Sequence, residues 1–385
     1  MPSNIVLVVT LLTMIAILML VTTGTNLAAS MEALQLLTSP SSRSAAVQPT
    51  LTLSPSSAVL VTGGAGFVGF HLCLRLHHQG IRVVGMDNFD PYYSTTLKRA
   101  RQRILQAAGI RIIEADLCDE RALSKLLLEE QPGFTHVASM AAQAGVRYSL
   151  SRPQAYVRSN VQCFLTLLEV LRQRPSVRLV YASSSSVYGA NKKTPFAEDD
   201  RVDSPNSLYA ATKKADEQFA HVYHGLYGLR VTGLRFFTVY GPWGRPDMAY
   251  FSFTHRISTG RPIQVYGHGA PQRDFTYIDD VVDGIMGALA LGADEEIFNL
   301  GNHKTEPLGR FISVLESELG VKANKTYVGL AAGDVFATYA DVQHAADRIG
   351  YKPTTSIDEG LKKFVQWYKS ADFKREYAEE GEWTK

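Results

Sequence analysis

The stretch that most constrains the fold is Ala58–Gly69, AVLVTGGAGFVG, an apolar run that ends in Gly63, Gly66 and Gly69. The apolar run predicts a buried strand. The glycine spacing is typical of a tight turn, a close approach of backbone amides to a pyrophosphate, and close packing of the next helix. We therefore expect a strand, a phosphate-binding loop and a helix from Phe67 to about His78, whose N-terminus favours negative charge.

A second apolar run, Ile81–Met86, follows roughly 20 residues after the glycines and ends at Asp87. A carboxylate at this place in a dinucleotide-binding fold accepts hydrogen bonds from ribose hydroxyls and repels a 2′-phosphate. The sequence therefore predicts NAD rather than NADP as the cofactor.

From Ala58 onward, apolar runs alternate with amphipathic stretches, which predicts a doubly wound Rossmann-type α/β fold with a parallel sheet. The predicted strands of this sheet are Ala58–Thr62, Arg82–Met86, Arg111–Glu114, His136–Ser139, Arg178–Ser183 and Val231–Phe236. The predicted helices between them include Glu120–Glu129, Pro153–Arg172 and Ser207–Tyr227.

After about Gly241 the chain is rich in Gly and Pro, with a predicted strand at Ile263–Tyr266 and predicted helices at Ile278–Leu291 and Ile357–Tyr368. We expect a NAD-binding Rossmann domain over residues 58–240. A smaller C-terminal α/β domain, mainly substrate-binding, is expected over residues 241–385, capping the carboxyl edge of the sheet.

The N-terminus contains an apolar run, Ile5–Val21, interrupted only by Thr10 and Thr13, which is about the minimum length for a membrane-spanning helix. A retained signal anchor and a cleaved signal peptide both fit this run, and we favour a membrane anchor over residues 1–22. Residues 23–57 are rich in Ser, Thr, Ala and Pro and predict a flexible linker. The flanking charges do not set the orientation.

The net charge is +2 and there is no basic block, so no nucleic-acid partner is expected. Cys73, Cys118 and Cys163 have neither a metal-ligand spacing nor an even count. We expect three buried thiols and no metal site.

The predicted chemistry lies in the run Ser207–Lys214, where Tyr209 and Lys213 are four residues apart and share one helical face. An ammonium near a phenol favours the phenolate, which makes tyrosine usable as a base. Upstream, Tyr181–Gly189, YASSSSVYG, places four serines where a strand should end at the cofactor crevice. Their hydroxyls could bind a sugar hydroxyl or a transient ketone oxygen.

Seven segments together resemble the extended short-chain dehydrogenase/reductases, and among them the UDP-glucuronate 4-epimerases, over roughly residues 58–368. The segments are TGGAGFVG at Thr62–Gly69, DNFDPYY at Asp87–Tyr93, AAQAGVRYS at Ala141–Ser149, YASSSSVYG at Tyr181–Gly189, YAATK at Tyr209–Lys213, TVYGPWGRPDMAYF at Thr238–Phe251 and RDFTYIDD at Arg273–Asp280.

The resemblance implies a NAD-dependent isomerase that interconverts UDP-glucuronate and UDP-galacturonate through a 4-keto sugar. The implied catalytic residues are Tyr209 as base, Lys213 as its partner, and Ser184. The implied cofactor-binding residues are Gly63, Gly66, Phe67, Val68, Asp87, Asn88, Asp116, Leu117, Ala141, Asn160, Tyr209 and Lys213. The implied substrate-binding residues are Ser184, Ser185, Ser186, Thr238, Arg245, Tyr266, Arg273 and Asp334.

The residues before Val-Tyr-Gly distinguish this chain from two related activities. Related decarboxylases typically carry a Glu immediately before the Val-Tyr-Gly, and 4,6-dehydratases an Asp-Glu pair, whereas this chain has Ser185 and Ser186 there. A UDP-glucuronate decarboxylase and a UDP-glucose 4-epimerase remain alternatives. A non-catalytic scaffold on the same fold is disfavoured because the glycines, Tyr209 and Lys213 are all present.

One departure from the family pattern is Ala331, at a position where many relatives carry Arg. Its absence predicts weaker nucleotide affinity with the same reaction. The resemblance to plant-like epimerases also implies a single-pass type II Golgi membrane protein, and we expect a homodimer. The sequon Asn324-Lys325-Thr326 offers a probe of a luminal domain.

Overall fold

A seven-stranded parallel sheet organises the chain in the computed structural model, which describes residues 51–329, 336–371 and 373. The strand order is β11-β6-β5-β4-β1-β2-β3. The sheet strands are β1 (Ala58–Thr62), β2 (Arg82–Asp87), β3 (Arg111–Glu114), β4 (His136–Ser139), β5 (Arg178–Ser184), β6 (Val231–Phe236) and β11 (Glu295–Leu300). All six predicted strands are confirmed, and β11 is an addition.

Shorter strands lie outside this sheet and pair two by two. They are β7 (Thr238–Tyr240), β8 (Ile263–Tyr266), β9 (Gln272–Arg273), β10 (Phe275–Tyr277), β12 (Glu306–Pro307) and β13 (Lys325–Val328). β7 pairs with β10, β9 with β12, and β8 with β13. Most of these lie in the region that the sequence assigned to the second domain.

The helices that flank and follow the sheet include every helix predicted from Ala58 onward. They are α1 (Phe67–His78), α2 (Thr95–Ala107), α3 (Glu120–Ser124), α4 (Tyr148–Ser151), α5 (Pro153–Tyr156), α6 (Cys163–Leu171), α7 (Leu208–Tyr227), α8 (Ala249–Ser258), α9 (Ile278–Leu291), α10 (Leu308–Leu319), α11 (Gln343–Ile349) and α12 (Ile357–Lys369). Wider π-type turns, Lys125–Glu129 and Val157–Gln162, extend α3 and join α5 to α6.

Alternate residues of β1 contribute to two separate apolar cores, one on each face of the sheet. Val59 and Val61 belong to one core, and Ala58 and Leu60 to the other. Successive side chains of a strand point to opposite faces, and a parallel sheet covered by helices needs apolar residues on both. This explains why the sheet strands read as continuous apolar runs in the sequence.

The sheet reverses its direction of growth between β1 and β4, which are adjacent in space but separated by β2 and β3 in sequence. In open parallel sheets a crevice for ligands forms at such a reversal, outside the carboxyl ends of the strands. The fold therefore places a binding site beyond Thr62 of β1 and Ser139 of β4.

The boundary predicted at residue 240 stays a prediction. The described residues from 51 onward form one compact unit, and β11, which lies beyond that boundary, pairs with β6 to complete the sheet. The sequence EEIFNL of β11 has only a short apolar run, so the apolar pattern does not predict this strand.

Three predictions fall outside the described residues: the apolar helix Ile5–Val21, most of the linker that follows it, and the segment containing Ala331 and Asp334. Within the residues that the structure does describe, no helix is both long enough and apolar enough to span a bilayer.

Candidate active site

A cleft of about 250 Å³ lies at the reversal point of the sheet. One part, here called the cofactor half, is formed by the loop Gly63–Gly69 and the ends of β2 and β3. The other part, the sugar half, is formed by Ser184, Tyr209, Lys213 and the segment 236–248. Side chains of both halves line the same cleft.

Positions 63 and 69 of the glycine loop leave no room for a side chain. Gly63 has a φ of +67°, and a Cβ there would lie 2.8 Å from the backbone nitrogen of Ala141. A Cβ on Gly69 would collide with the carbonyl of Gly63. Positions 63 and 69 therefore require glycine, and the loop brings the first turn of α1, including Phe67 and Val68, to the wall of the cleft.

Asp87 is buried at the end of β2 and lines the cleft as predicted. Its carboxylate also accepts hydrogen bonds from the backbone nitrogens of Ala65 at 3.0 Å and Phe89 at 2.8 Å. The same side chain thus braces the glycine loop and offers its remaining lone pairs to a ligand. The neighbouring Asn88 donates to Asp116 at 3.2 Å.

Asp116 and Leu117 line the far end of the cofactor half. Burial raises the pKa of Asp116, but hydrogen bonds from Cys118, Asn88 and Arg158 outweigh burial and leave this pKa below its ordinary value. Asp116 is therefore a charged acceptor at the end of the cleft where the resemblance places the adenine.

The expectation of three buried thiols is wrong for two of the cysteines. Cys118 and Cys163 form a disulfide, and Cys73 is a free, buried cysteine. The turn after β3 and the start of α6 meet at the carboxyl edge of the sheet, which brings together residues separated by 45 positions. The spacing of the cysteines in the sequence does not predict that these two segments meet.

Two further predicted cofactor residues occupy different places. Ala141 lines the cleft, and its backbone nitrogen donates to the Thr62 hydroxyl at 3.2 Å. Asn160 is buried behind the wall, where its side chain bonds the backbone of Gln143 at 2.7 and 3.1 Å and the Thr212 hydroxyl at 3.0 Å. Asn160 therefore supports the wall of the cleft and α7.

Helix α7 presents the predicted catalytic pair. Its N-terminus is capped by the Ser207 hydroxyl, which accepts a hydrogen bond from the backbone nitrogen of Ala210 at 3.1 Å. Tyr209 and Lys213 then lie one turn apart and both line the cleft. Ser184, at the end of β5, lines the same space and caps the short turn Ser185–Tyr188.

Arg245 lines the sugar half, where its guanidinium contacts Asp247 at 3.0 and 2.5 Å. The Tyr92 hydroxyl donates to the same carboxylate at 2.9 Å. Burial opposes the charge on both groups, yet their pairing raises the pKa of Arg245 and lowers that of Asp247. Arg245 is thus a permanently charged and oriented donor. Sequence reasoning did not identify Asp247 or Tyr92 as its partners, although both lie in motifs that it quoted.

The other predicted substrate residues do not line this cleft in the part of the chain that the structure describes. Ser185 and Ser186 are half-buried directly beyond Ser184, and Thr238 adjoins the cleft residue Val239. Tyr266 lies under the guanidinium of Arg147 at 4.4 Å, and Arg273 donates to backbone carbonyls at 2.9 and 3.2 Å. Asp334 is outside the described residues.

Arg101 of α2 is a second omission of the sequence reasoning. It is fully buried and donates to the carbonyl of Ala65 at 2.9 Å, the Tyr93 hydroxyl at 2.8 Å and the carbonyl of Trp243. It therefore ties the glycine loop of the cofactor half to the segment that carries Arg245. The available signal was its position on the apolar face of α2, beside Leu97 and Leu105.

Comparison with known proteins agrees with this geometry. Residues 59–301 match the model of the NAD dependent epimerase/dehydratase family. UDP-glucuronate 4-epimerase 1 of Arabidopsis thaliana is 51% identical over 331 residues, covering 81% of this chain and 77% of the relative. Protein CapI of Staphylococcus aureus is 45% identical over 80% of this chain and 98% of its own length.

Among solved structures, a UDP-glucuronic acid 4-epimerase from Bacillus cereus, in complex with UDP-glucuronic acid and NAD, superposes with a TM-score of 0.76. It is 34% identical and covers 81% of this chain and 99% of its own. The family match spans the glycine loop, the predicted catalytic pair and, except for Ala58, the parallel sheet. The chain therefore belongs to the NAD dependent epimerase/dehydratase family.

Proposed function

We propose that the protein catalyses the reversible 4-epimerisation of UDP-glucuronate to UDP-galacturonate. The observation that carries this proposal is the convergence of Tyr209, Lys213, Ser184 and Arg245 on one cleft beside a dinucleotide-type glycine loop. The Arabidopsis thaliana relative and the Bacillus cereus structure described above, which bear the name of this activity, support the substrate assignment.

The residues of the cofactor half fit NAD. The loop at Gly63 and Gly69 excludes side chains and leaves a cradle for a pyrophosphate at the N-terminus of α1. The carboxylate of Asp87 suits ribose hydroxyls and opposes a 2′-phosphate. When bound there, NAD supplies a hydride acceptor that can return the hydride to the sugar.

The residues of the sugar half have separate roles in the reaction. Tyr209 takes the proton from the 4-hydroxyl, and the Lys213 ammonium one turn away favours the phenolate that does so. Ser184 offers a hydrogen bond to the oxygen at C4 as it becomes a ketone. Arg245 is placed to hold the sugar carboxylate, which slows the loss of carbon dioxide from the 4-keto acid.

The test is product analysis from both directions. Purified protein incubated with UDP-glucuronate should form UDP-galacturonate, and the reverse reaction should reach the same equilibrium mixture. A UDP-pentose as the main product would replace the epimerase with a decarboxylase. Faster turnover of UDP-glucose would make it a neutral-sugar epimerase. Absence of any product, together with no nicotinamide fluorescence after substrate addition, would identify a non-catalytic scaffold.

We also propose a homodimer formed by two neighbouring helical segments. Val157 and Leu165, on the segment from α5 to α6, are exposed, as are Val222, Leu226 and Tyr227 on α7. Exposed apolar side chains clustered on adjacent helices favour contact with another protein surface. Leu226→Glu should convert the dimer to a monomer in light scattering. A wild-type protein that is monomeric at micromolar concentration would overturn this assignment.

We propose that Ile5–Val21 anchors the protein in the Golgi membrane with the catalytic part in the lumen. The Cys118–Cys163 disulfide supports this location because disulfides persist in oxidising compartments. Asn324 of the sequon is exposed, so it is accessible to glycosylation. Intact microsomes should protect the chain from protease, and carbonate should not extract it. Digestion from outside would exclude a luminal domain, and a soluble product starting near Ser30 would indicate a cleaved signal.

A further inference from the structure

Two adjacent buried carboxylates on α7 have opposite environments. Glu217 pairs with Arg235 at 2.9 and 3.0 Å and accepts a hydrogen bond from Ser183 at 2.7 Å. Burial raises the pKa of Glu217, but these partners outweigh burial and leave it lowered. Asp216 has far fewer partners: one carboxylate oxygen contacts Lys213, and the other is buried without a hydrogen bond among the described residues.

The contact between Asp216 and Lys213 fixes the position of the ammonium. The Lys213 Nζ lies 3.0 Å from the Asp216 carboxylate and 3.0 Å from the carbonyl oxygen of Ala182. Both Lys213 and Ala182 line the cleft. An ammonium has three N–H donors, so these two anchors leave one donor for the cleft. Asp216 itself is 1% exposed and does not reach the cleft surface.

The same contact also changes the electric field at the catalytic pair. The ionisable groups facing Asp216 are Lys213 and Glu217 on its own helix and Tyr181 on β5. Since Arg235 neutralises Glu217, the charge of Asp216 acts mainly on Lys213. An ionised Asp216 therefore offsets part of the positive charge that favours the phenolate of Tyr209.

The ionised form of Asp216 destabilises the folded state. Burial raises its pKa to about 6, although Lys213 opposes the rise. Its unpartnered oxygen adds the penalty of a buried acceptor without a donor. A buried group that destabilises the folded state, and lies directly behind a catalytic pair, is a candidate for a functional role.

We propose that Asp216 is a positioning residue that aims the Lys213 ammonium at the cleft and moderates its charge, thereby setting the lower pH limit of turnover. This role rests on the proposed epimerase activity. It predicts two separable effects, one from the geometry of the anchor and one from its charge.

Asp216→Asn and Asp216→Ala separate these effects. Asn keeps the shape and an oxygen acceptor for Lys213 but removes the charge. The acidic limb of its pH–rate profile should move to lower pH by about half a unit to one unit, because the Lys213 charge is no longer offset. Its kcat at the optimum should stay within about threefold of the wild type, since the anchor is kept. Ala removes the anchor as well, so kcat should fall about tenfold and NAD should bind several-fold more weakly.

A further readout is independent of turnover. The folded-state pKa of Asp216 is raised above its unfolded value, so its ionisation destabilises the fold as the pH rises through about 6. Asp216→Asn removes this effect. The melting temperature of the Asn variant, relative to the wild type, should therefore be higher at pH 8 than at pH 5.

The matched control is Asp274→Asn. Asp274 is also buried, and burial raises its pKa to about 6, but it bonds the backbone nitrogens of Asn302 and Ala340 and does not contact Lys213. This variant should lose stability and leave the acidic limb unmoved. If it does not fold, Asp280→Asn, at a buried carboxylate that bonds the backbone nitrogens of Thr354 and Thr355, replaces it.

The proposal is overturned if the acidic limb of Asp216→Asn coincides with that of the wild type, or if the control shifts equally. It is also overturned if Asp216→Ala keeps wild-type kcat and NAD affinity. If the wild type itself does not interconvert the two UDP-uronates, the proposed function fails, and NAD titration then decides the positioning role. Weaker NAD binding in Asp216→Ala but not in Asp216→Asn supports that role, and equal binding in both rejects it.

Discussion

The two halves of the cleft are held in shape by different means. In the cofactor half, apart from the Arg101 contact to Ala65, the glycine loop is held locally: the Gly64 backbone nitrogen bonds the Met86 carbonyl at the end of β2, and the Asp87 side chain accepts from two backbone nitrogens nearby. In the sugar half, orientation depends on buried side chains that pair across the chain, such as Arg245 with Asp247 and Tyr92 with Asp247. Cofactor recognition is therefore built mainly into the strand–loop–helix unit, whereas sugar recognition depends on the assembled fold.

The largest expected effect on turnover tests whether the chemistry belongs to the sugar half alone. Tyr209→Phe keeps the ring and removes the proton acceptor, so kcat should fall by about 10³ while NAD stays bound. The measurement is UDP-galacturonate formation together with the NAD content of the purified variant. Tyr227→Phe, at the exposed end of the same helix, is the control and should behave as the wild type. Turnover of Tyr209→Phe within tenfold of the wild type would remove Tyr209 from its role.

The second prediction concerns the cofactor half. In Gly69→Ala the new Cβ would meet the carbonyl of Gly63, and relieving that collision shifts the loop away from the phosphates. NAD affinity should fall by about 100-fold, equivalent to about 2.7 kcal/mol, as measured by fluorescence titration. Gly225→Ala is the matched control, since a Cβ there meets no atom within 4 Å. Equal NAD affinity in the two variants would show that the loop tolerates side chains.

The contrast between the halves also explains how much the sequence could predict. Gly63 needs a positive φ, and Asp87 follows a strand, so both positions obey local rules that a sequence displays. The alternation of apolar runs and amphipathic helices likewise indicates a parallel sheet. These rules predicted six strands and the glycine loop, which the structure confirms, and they placed Tyr209 and Lys213 one turn apart on α7. The catalytic roles of the two residues stay predictions.

Contacts between distant segments could not be predicted from the sequence. Tyr92 and Asp247 are 155 residues apart, and Arg101 reaches the carbonyl of Trp243 across 142 residues. The Cys118–Cys163 disulfide likewise depends on two loops meeting at the sheet edge. No periodicity or spacing encodes such pairings, because they depend on how the helices pack on the sheet.

The third prediction tests the sugar half through its cation. Arg245→Lys keeps the charge, but a lysine cannot make the two-pronged contact to Asp247 that orients the cation while still presenting a fixed donor to the cleft. The KM for UDP-glucuronate should rise about tenfold, and some decarboxylated pentose should appear. Turnover of UDP-glucose, which has no carboxylate, is the internal control and should be unchanged. An equal loss with both sugars would mean that Arg245 supports the fold and does not recognise the carboxylate.

The variant with the smallest expected effect on turnover tests whether NAD binding in the cofactor half depends on a contact outside its strand–loop–helix unit. The Cys118–Cys163 disulfide stands at the end of that half, next to Asp116, and Cys163 lines the cleft. Replacing both cysteines by Ser should weaken NAD binding only about threefold, because the glycine loop and Asp87 are untouched. The stability cost is larger: opening a cross-link with a separation of 45 residues costs about 4 kcal/mol by loop-closure entropy.

Turnover at saturating NAD should therefore match the wild type, while the melting temperature should fall. Dithiothreitol should lower the NAD affinity and melting temperature of the wild type toward those of the double variant, and should leave the double variant unchanged. Cys73→Ala, which keeps the disulfide, should respond to dithiothreitol as the wild type does. A 100-fold loss of NAD affinity on reduction would contradict the comparison, because the cofactor half would then depend on a distant cross-link as strongly as on its own glycines.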